Sequence, residues 1–196
     1  MRLYYRCLIA LPLMLFVFSY NKKKISNQVF SSSLIYKDSL FDMCSVMPGD
    51  EVAGLSPFGK PIKQVTPDDR LEGYCGCHYD LQSDDDYPQV HISLNEFSSS
   101  KEAREGYDMY RKDWIDMYGR QPDEVTGLGD AACFMGNAEP DKCDDCVLHV
   151  IADRFYVTVK YKGYYDKISA SEKRNAAINI VKRLYEKKPY LGRSRL

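Results

Sequence analysis

A chain of 196 residues, 44% hydrophobic and 28% charged, has the length and composition of one folded domain, which excludes a largely disordered protein. Its 27 basic and 28 acidic residues leave a net charge of −1, and loss of a leader containing Arg2 and Arg6 would make that −3. A mildly acidic domain lacks the clustered basic surface that phosphate contacts require, so nucleic acid is not an expected partner.

The first residues read as an export signal. Arg2 and Arg6 form a basic start, Cys7 to Phe18 form an uncharged apolar stretch broken only by Pro12, and Val17-Phe18-Ser19 supplies a cleavage site that leaves Tyr20 as the new N-terminus. The alternative is an uncleaved anchor over Leu3 to Tyr20, which tethers the chain to a membrane through its N-terminus. The expected organisation is a signal peptide or anchor over 1–19, a polar Ser-rich linker over 20–39, one domain over 40–188 and a basic tail over 189–196 that carries Arg193 and Arg195. The expected address is therefore extracytoplasmic, secreted or periplasmic.

Within the domain, Pro48-Gly49-Asp50-Glu51 opens a short helix that Ser56-Pro57-Phe58-Gly59 ends. From Tyr74 the period becomes two. Cys75, Cys77, Tyr79 and Leu81 share one strand face, with His78 and Asp80 on the other, and Val90, Ile92 and Leu94 alternate with His91, Ser93 and Asn95 in a second strand, so the pair reads as a hairpin. Asp84-Asp85-Asp86 between them lacks the alternation, the glycine and the distal Glu of a calcium loop, and reads as a solvated turn. Ser99 with Glu102 opens a long helix whose stripe is Ala103, Tyr107, Tyr110, Trp114 and Met117, ending near Gly119; the only tryptophan is read as core. Strands follow over Ala131–Met135, Val147–Ala152 and Phe155–Tyr161, the last two joined tightly through Asp153-Arg154. Ser169 with Glu172 opens a final helix with Ala177, Ile180, Val181 and Leu184 on its apolar stripe, ending before Pro189. The expected fold is α+β in the order αββαβββα: an antiparallel sheet of about five strands with helices packed on one face. Its two helix-plus-strands units resemble a loose duplication.

Beyond Cys7, six cysteines stand in the domain: Cys44, Cys75, Cys77, Cys133, Cys143 and Cys146. An even number in an exported domain reads as three disulfides. Neighbourhood along the chain pairs Cys133 with Cys143 or Cys146 across the intervening loop, and Cys44 with Cys75 or Cys77. The competing reading takes Cys133, Cys143 and Cys146 as a thiol-redox or metal cluster, since Cys143-Asp144-Asp145-Cys146 has CxxC spacing. Acidic residues between the thiols and a strand rather than a helix after them oppose redox chemistry; for a metal, Cys75, Cys77, Cys143, Cys146, His78 and His149 are ligand types, but Cys75 and Cys77 stand one residue apart and His78 points to the opposite sheet face from both. No phosphate-binding loop, GxSxG elbow or HExxH helix is present, and His78, His91 and His149 all fall on strands. No catalytic residue and no cofactor is expected. Tyr161, Tyr164 and Tyr165 with Lys160 and Lys162 form an aromatic and basic cluster, the expected binding patch for an envelope protein or glycan.

Three groups of residues carry a resemblance: Asp42-Met43-Cys44 before Met47-Pro48-Gly49-Asp50-Glu51-Val52-Ala53, Cys75-Gly76-Cys77-His78-Tyr79, and Gly127-Leu128-Gly129-Asp130-Ala131-Ala132. Together, over about Leu40 to Lys188, they resemble small secreted lipoprotein-type domains of unknown function common in actinobacteria. The resemblance implies that the cysteine before the first helix pairs with one in the first strand, hence Cys44 with Cys75 or Cys77, and it implies no catalytic residues. The chain departs from the pattern in having no lipobox cysteine, in Tyr79 at a position usually tryptophan, and in the additional Cys133, Cys143 and Cys146.

Overall fold

A computed structural model describes residues 41–57, 62–68, 73–81, 89–136, 145–162 and 168–192. The leader, its cleavage site, the linker, Asp84-Asp85-Asp86, Cys143, Tyr164, Tyr165, Arg193 and Arg195 lie outside the described residues, as does the side chain of Lys162. Among the described residues no helix is long and apolar enough to cross a membrane.

The fold is α+β. Two short helices, α1 (Met43–Val46) and α2 (Gly49–Leu55), precede strands β1 (Ile62–Asp68), β2 (Tyr74–Leu81) and β3 (Gln89–Glu96); helix α3 (Ser100–Tyr118) precedes β4 (Asp123–Glu124), β5 (Ala131–Gly136), β6 (Asp145–Ala152) and β7 (Phe155–Lys162); helix α4 (Ala170–Lys187) and a 3-10 turn, Pro189–Gly192, follow. The strands form one antiparallel sheet in the order β1-β2-β3-β7-β6-β5-β4. Six strands are long, and the seventh, β4, is a two-residue edge. The expected order thus omits β1 and β4 and the first helical turn. β1 escapes periodicity because Ile62-Lys63-Gln64-Val65-Thr66-Pro67-Asp68 is mostly polar, and Pro67 is tolerated because this is an edge strand with no further neighbour to receive an N–H.

Local chemistry sets the element ends. Asp42 caps α1 by accepting from the Cys44 N–H at 2.9 Å. The Ser99 side chain accepts from the Glu102 N–H, while the Glu102 carboxylate accepts from Ser98 rather than Ser99. In α4 the reciprocal box of Ser169 and Glu172 is complete. Gly119 ends α3 in the left-handed conformation, and Asp153, also at positive φ, makes the two-residue turn from β6 to β7. Gly129 is required by its surroundings: at φ +65° any Cβ would lie 2.4 Å from the Ile151 carbonyl oxygen.

Alternation then divides the sheet into two faces. On one lie Cys75, Cys77, Tyr79, Val90, Ile92, Leu94, Leu148, Val150, Val157, Val159 and Tyr161, closed over by α1, α2 and α4 through Met43, Met47, Val52, Ala177, Ile180, Val181 and Leu184. Polar ties fix these helices. The Tyr79 hydroxyl donates to the Met47 carbonyl at 2.6 Å, and Lys187 donates to the Val46 carbonyl at 2.8 Å while pairing with Glu51. Leu191, in the turn after α4, is fully buried, so the segment expected to be a basic tail begins as docked chain.

The opposite face holds a second, smaller core of Cys133, Met135, Ile151 and Tyr156 beneath Ala103 and Tyr107 of α3. The expectation of helices on one face is therefore corrected: α3 lies over β6 and β7 on the side away from α4. A stripe shows that a helix buries one side but not which sheet face receives it. The α3 stripe is also shorter than its periodicity implies. Ala103, Gly106 and Tyr107 are buried, Trp114 is half-buried with its Nε1–H donating to the Gly136 carbonyl at the end of β5, and Met117 is 72% exposed because the helix has by then reached the end of the strand beneath it.

Candidate functional site

The face beneath α3 continues over β2 and β3, and among the described residues no helix packs on it there. Because the apolar members of β2, β3, β6 and β7 alternate onto the other side, this face receives Tyr74, Gly76, His78 and Asp80 from β2, Gln89, His91, Ser93 and Asn95 from β3, Thr158 and Lys160 from β7, and His149 from β6. All three histidines of the chain thus share one side of the sheet.

Register places them in rows across the strands. His78 pairs directly with His91, and His91 with Lys160. The two imidazoles stack with ring centroids 4.0 Å apart and planes 6° from parallel. The Tyr74 hydroxyl lies 3.1 Å from His91 Nε2. In the neighbouring row Gly76, Ser93, Thr158, His149 and Cys133 succeed one another, with Ser93 and Thr158 hydroxyls hydrogen-bonded at 2.6 Å. Gln89 donates to the Asp80 carboxylate at 3.0 Å near the edge of the patch.

Where α3 begins to cover the sheet the chemistry changes. His149 Nδ1 meets the Tyr156 hydroxyl at 2.5 Å, and Tyr110, half-exposed on α3, stacks over Tyr156 with centroids 5.8 Å apart and lies 6.5 Å from His149. Burial pushes His149 down to about 4, so it is a neutral imidazole at ordinary pH. Behind it the Cys133 thiol is pushed up to about 11, mainly by burial. The Tyr107 hydroxyl is buried without a well-aligned hydrogen bond and sits against that thiol; burial first and that contact second push its ionisation upward.

The cysteines divide differently from the expected pattern. Cys44 is bonded to Cys77, a pairing within the expected set, with Cα atoms 5.3 Å apart, pinning α1 to β2. Cys75 and Cys133 are buried free thiols, and Cys146 is buried as well. A Cys133–Cys146 bridge is ruled out by alternation, because Cys133 points toward α3 and Cys146 into the core under α4. The same separation dissolves the joint thiol or metal cluster of Cys133 and Cys146, with Cys143 outside the described residues. Nor do Cys75, Cys77 and Cys146 converge: Cys77 is spent in the disulfide, and β2 is separated from β6 by β3 and β7. Burial also pushes the Cys75 thiol up to about 12, far from the range of a reactive thiolate.

Of the expected binding patch, Tyr161 is core. It is 1% exposed, faces α2 and α4, and its hydroxyl contacts Ser56 Oγ at 3.3 Å. Lys160 alternates onto the other face, beside His91, so the two residues belong to opposite sides of the sheet. Tyr74, His78, His91, Ser93 and Thr158 were missed as a set. Their signal was present in the polar members of the strand alternation, but assembling them requires the register.

The chain matches no protein-family model and no curated protein. Among solved structures it is similar to the extracellular domain of PknH from Mycobacterium tuberculosis, at 14% identity and a TM-score of 0.43, over 72% of this chain and 94% of that one.

Proposed function

We propose that the protein is an extracytoplasmic, disulfide-stabilised binding domain without catalytic activity, which engages an envelope protein or glycan through the polar sheet face of β2, β3 and β7. The observation that carries this reading is the patch of partly exposed Tyr74, His78, His91, Asn95, Thr158 and Lys160, over which no helix packs among the described residues, a set of planar and hydroxylated donors and acceptors lying beside the half-exposed ring of Tyr110. The Cys44–Cys77 bond and the apolar leader support an oxidising address. Buried thiols with raised pKa values and a histidine held neutral against a tyrosine speak for structure rather than chemistry.

Site-specific photo-crosslinking in the native envelope tests it. A crosslinker at position 91 or 160 is expected to capture a discrete partner or glycan, and one at position 182, on the exposed side of α4, is not. Equal labelling from both sides, or capture from position 182 alone, overturns the assignment of this face.

A further inference from the structure

We propose that α3 is a detachable cover: uptake of one proton by His149 releases the helix from the sheet as a local unit, while the core beneath α4 stays folded. This goes beyond the binding role of the face and does not depend on it.

The two sides of the sheet hold their helices differently. Among the described residues the core under α3 has six buried members, of which the helix itself supplies Ala103 and Tyr107. Of the five exposed large apolar side chains among those residues, four stand on this helix: Met109, Tyr110, Met117 and Tyr118. Its polar ties to the strands are the Trp114 Nε1–H, which donates to the Gly136 carbonyl at 3.1 Å, and Arg111, which pairs with Glu124 of β4 at 2.7 Å. The Cys44–Cys77 disulfide ties down α1, on the other side. A segment with few buried apolar contacts and much exposed surface opens locally, at a lower free energy than the whole domain.

His149 lies at this contact. It is paired with Thr158 on one side and Cys133 on the other. Its Nδ1 is 2.5 Å from the Tyr156 hydroxyl, and its ring is 6.5 Å from that of Tyr110, which α3 lays over Tyr156. The titratable groups around it are Tyr156 from β7, Cys133 from β5, and Tyr107 and Tyr110 from α3; Lys160 stands further along β7 on the same face, and Arg111 and Glu124 are paired with each other. Among these described residues none offers an imidazolium a carboxylate of its own, and burial holds the ring neutral down to about pH 4. Release of α3 takes Tyr110 away and opens the ring to water, where a histidine titrates near pH 6.5. Because the docked state binds the proton more weakly, release is disfavoured above about pH 6.5 and grows easier towards pH 4, by roughly fifty-fold between pH 7 and pH 4.5. It uncovers Cys133, Met135, Ile151 and Tyr156 on β5, β6 and β7.

The test is native-state hydrogen exchange of the oxidised full chain at pH 7 and pH 4.5, each amide's rate divided by its intrinsic rate at that pH. A 19-residue helix is marginal off the sheet, so release exposes its amides. Amides of α3 are expected to open more readily than those of α4 at both pH values, with little dependence on sub-denaturing urea, and roughly fifty-fold more at pH 4.5 than at pH 7. In His149→Gln that rise should shrink below about threefold. Imidazole NMR gives a second readout: the His149 midpoint should lie near 4 in the parent and move towards the ordinary histidine value in Tyr110→Ala. Exchange of α3 and α4 through one opening with the same urea dependence, a rise of equal size in His149→Gln, or an unmoved His149 midpoint in Tyr110→Ala overturns the proposal.

Discussion

The two faces of the sheet are made from the same strands and do opposite work. On the α4 side the buried positions of β2, β3, β6 and β7 are apolar residues, cysteines or the hydrogen-bonded tyrosines Tyr79 and Tyr161, three helices cover them, and a disulfide ties the first of these helices down. On the α3 side the helix among the described residues lies over the half built from β5, β6 and β7, and the other half carries histidines, hydroxyls and an amide. A strand buried on one face and open on the other alternates apolar with polar residues, so here the polar alternates mark the side over which no helix packs at β2 and β3 among the described residues. Location on the sheet, rather than residue type, separates core from partly exposed side chains: Tyr161 and Lys160 are neighbours in sequence and belong to different faces.

That contrast can be broken by substitution. Leu148→Ala, at a fully buried position of the closed face, should destabilise the fold by about 4 kcal/mol in urea unfolding, the sum of lost burial and a residual cavity. Replacing Cys44 and Cys77 together by alanine releases a link spanning 33 residues and should cost about 3 kcal/mol. Loss of either magnitude with an unchanged unfolding slope would place both groups in the same cooperative unit.

Acid separates the covered part of the α3 side from its open part. His149 is neutral in the folded chain down to about pH 4 because burial disfavours the imidazolium. An imidazole in the unfolded chain takes up its proton near pH 6.5, so stability is fully present above that value and falls between it and about 4, by about 2–3 kcal/mol. Unfolding midpoints at pH 7 and pH 4.5 should show that loss, and His149→Gln should reduce it. The smallest effect belongs to the open surface: His78→Ala should change stability by less than about 1 kcal/mol. A larger cost there would mean that the patch is part of the core.

Much of the fold was legible in the residues. The cap at Ser99, the reciprocal box at Ser169, the left-handed stop at Gly119 and the alternation through Val90–Leu94 and Phe155–Tyr161 are local signals that reappear in the structure, although Glu102 turns back to Ser98 and does not close the box at Ser99. What failed was non-local. β1 has no apolar pattern of its own and exists because β2 offers it an edge. The side on which α3 packs depends on where β5, β6 and β7 lie, not on its stripe. The two helices that lead the β1-β2-β3 and β5-β6-β7 meanders to the sheet consequently lie on opposite faces, an asymmetry that a simple duplication does not produce. For the site, the alternation that set Phe155, Val157 and Val159 on one side already placed Tyr161 with them. His78 with His91 and Ser93 with Thr158 become neighbours only through cross-strand register, which no spacing along one strand encodes.

Timed histidine acylation of the folded protein, with peptide-level mass readout, distinguishes the part of the sheet at β2 and β3 over which no described helix packs from the part at β6 that α3 covers. His78 and His91 should be modified first, while His149 reacts slowly until the chain is unfolded. Modification of His149 at the same rate, or protection of His78 and His91 together, would contradict it.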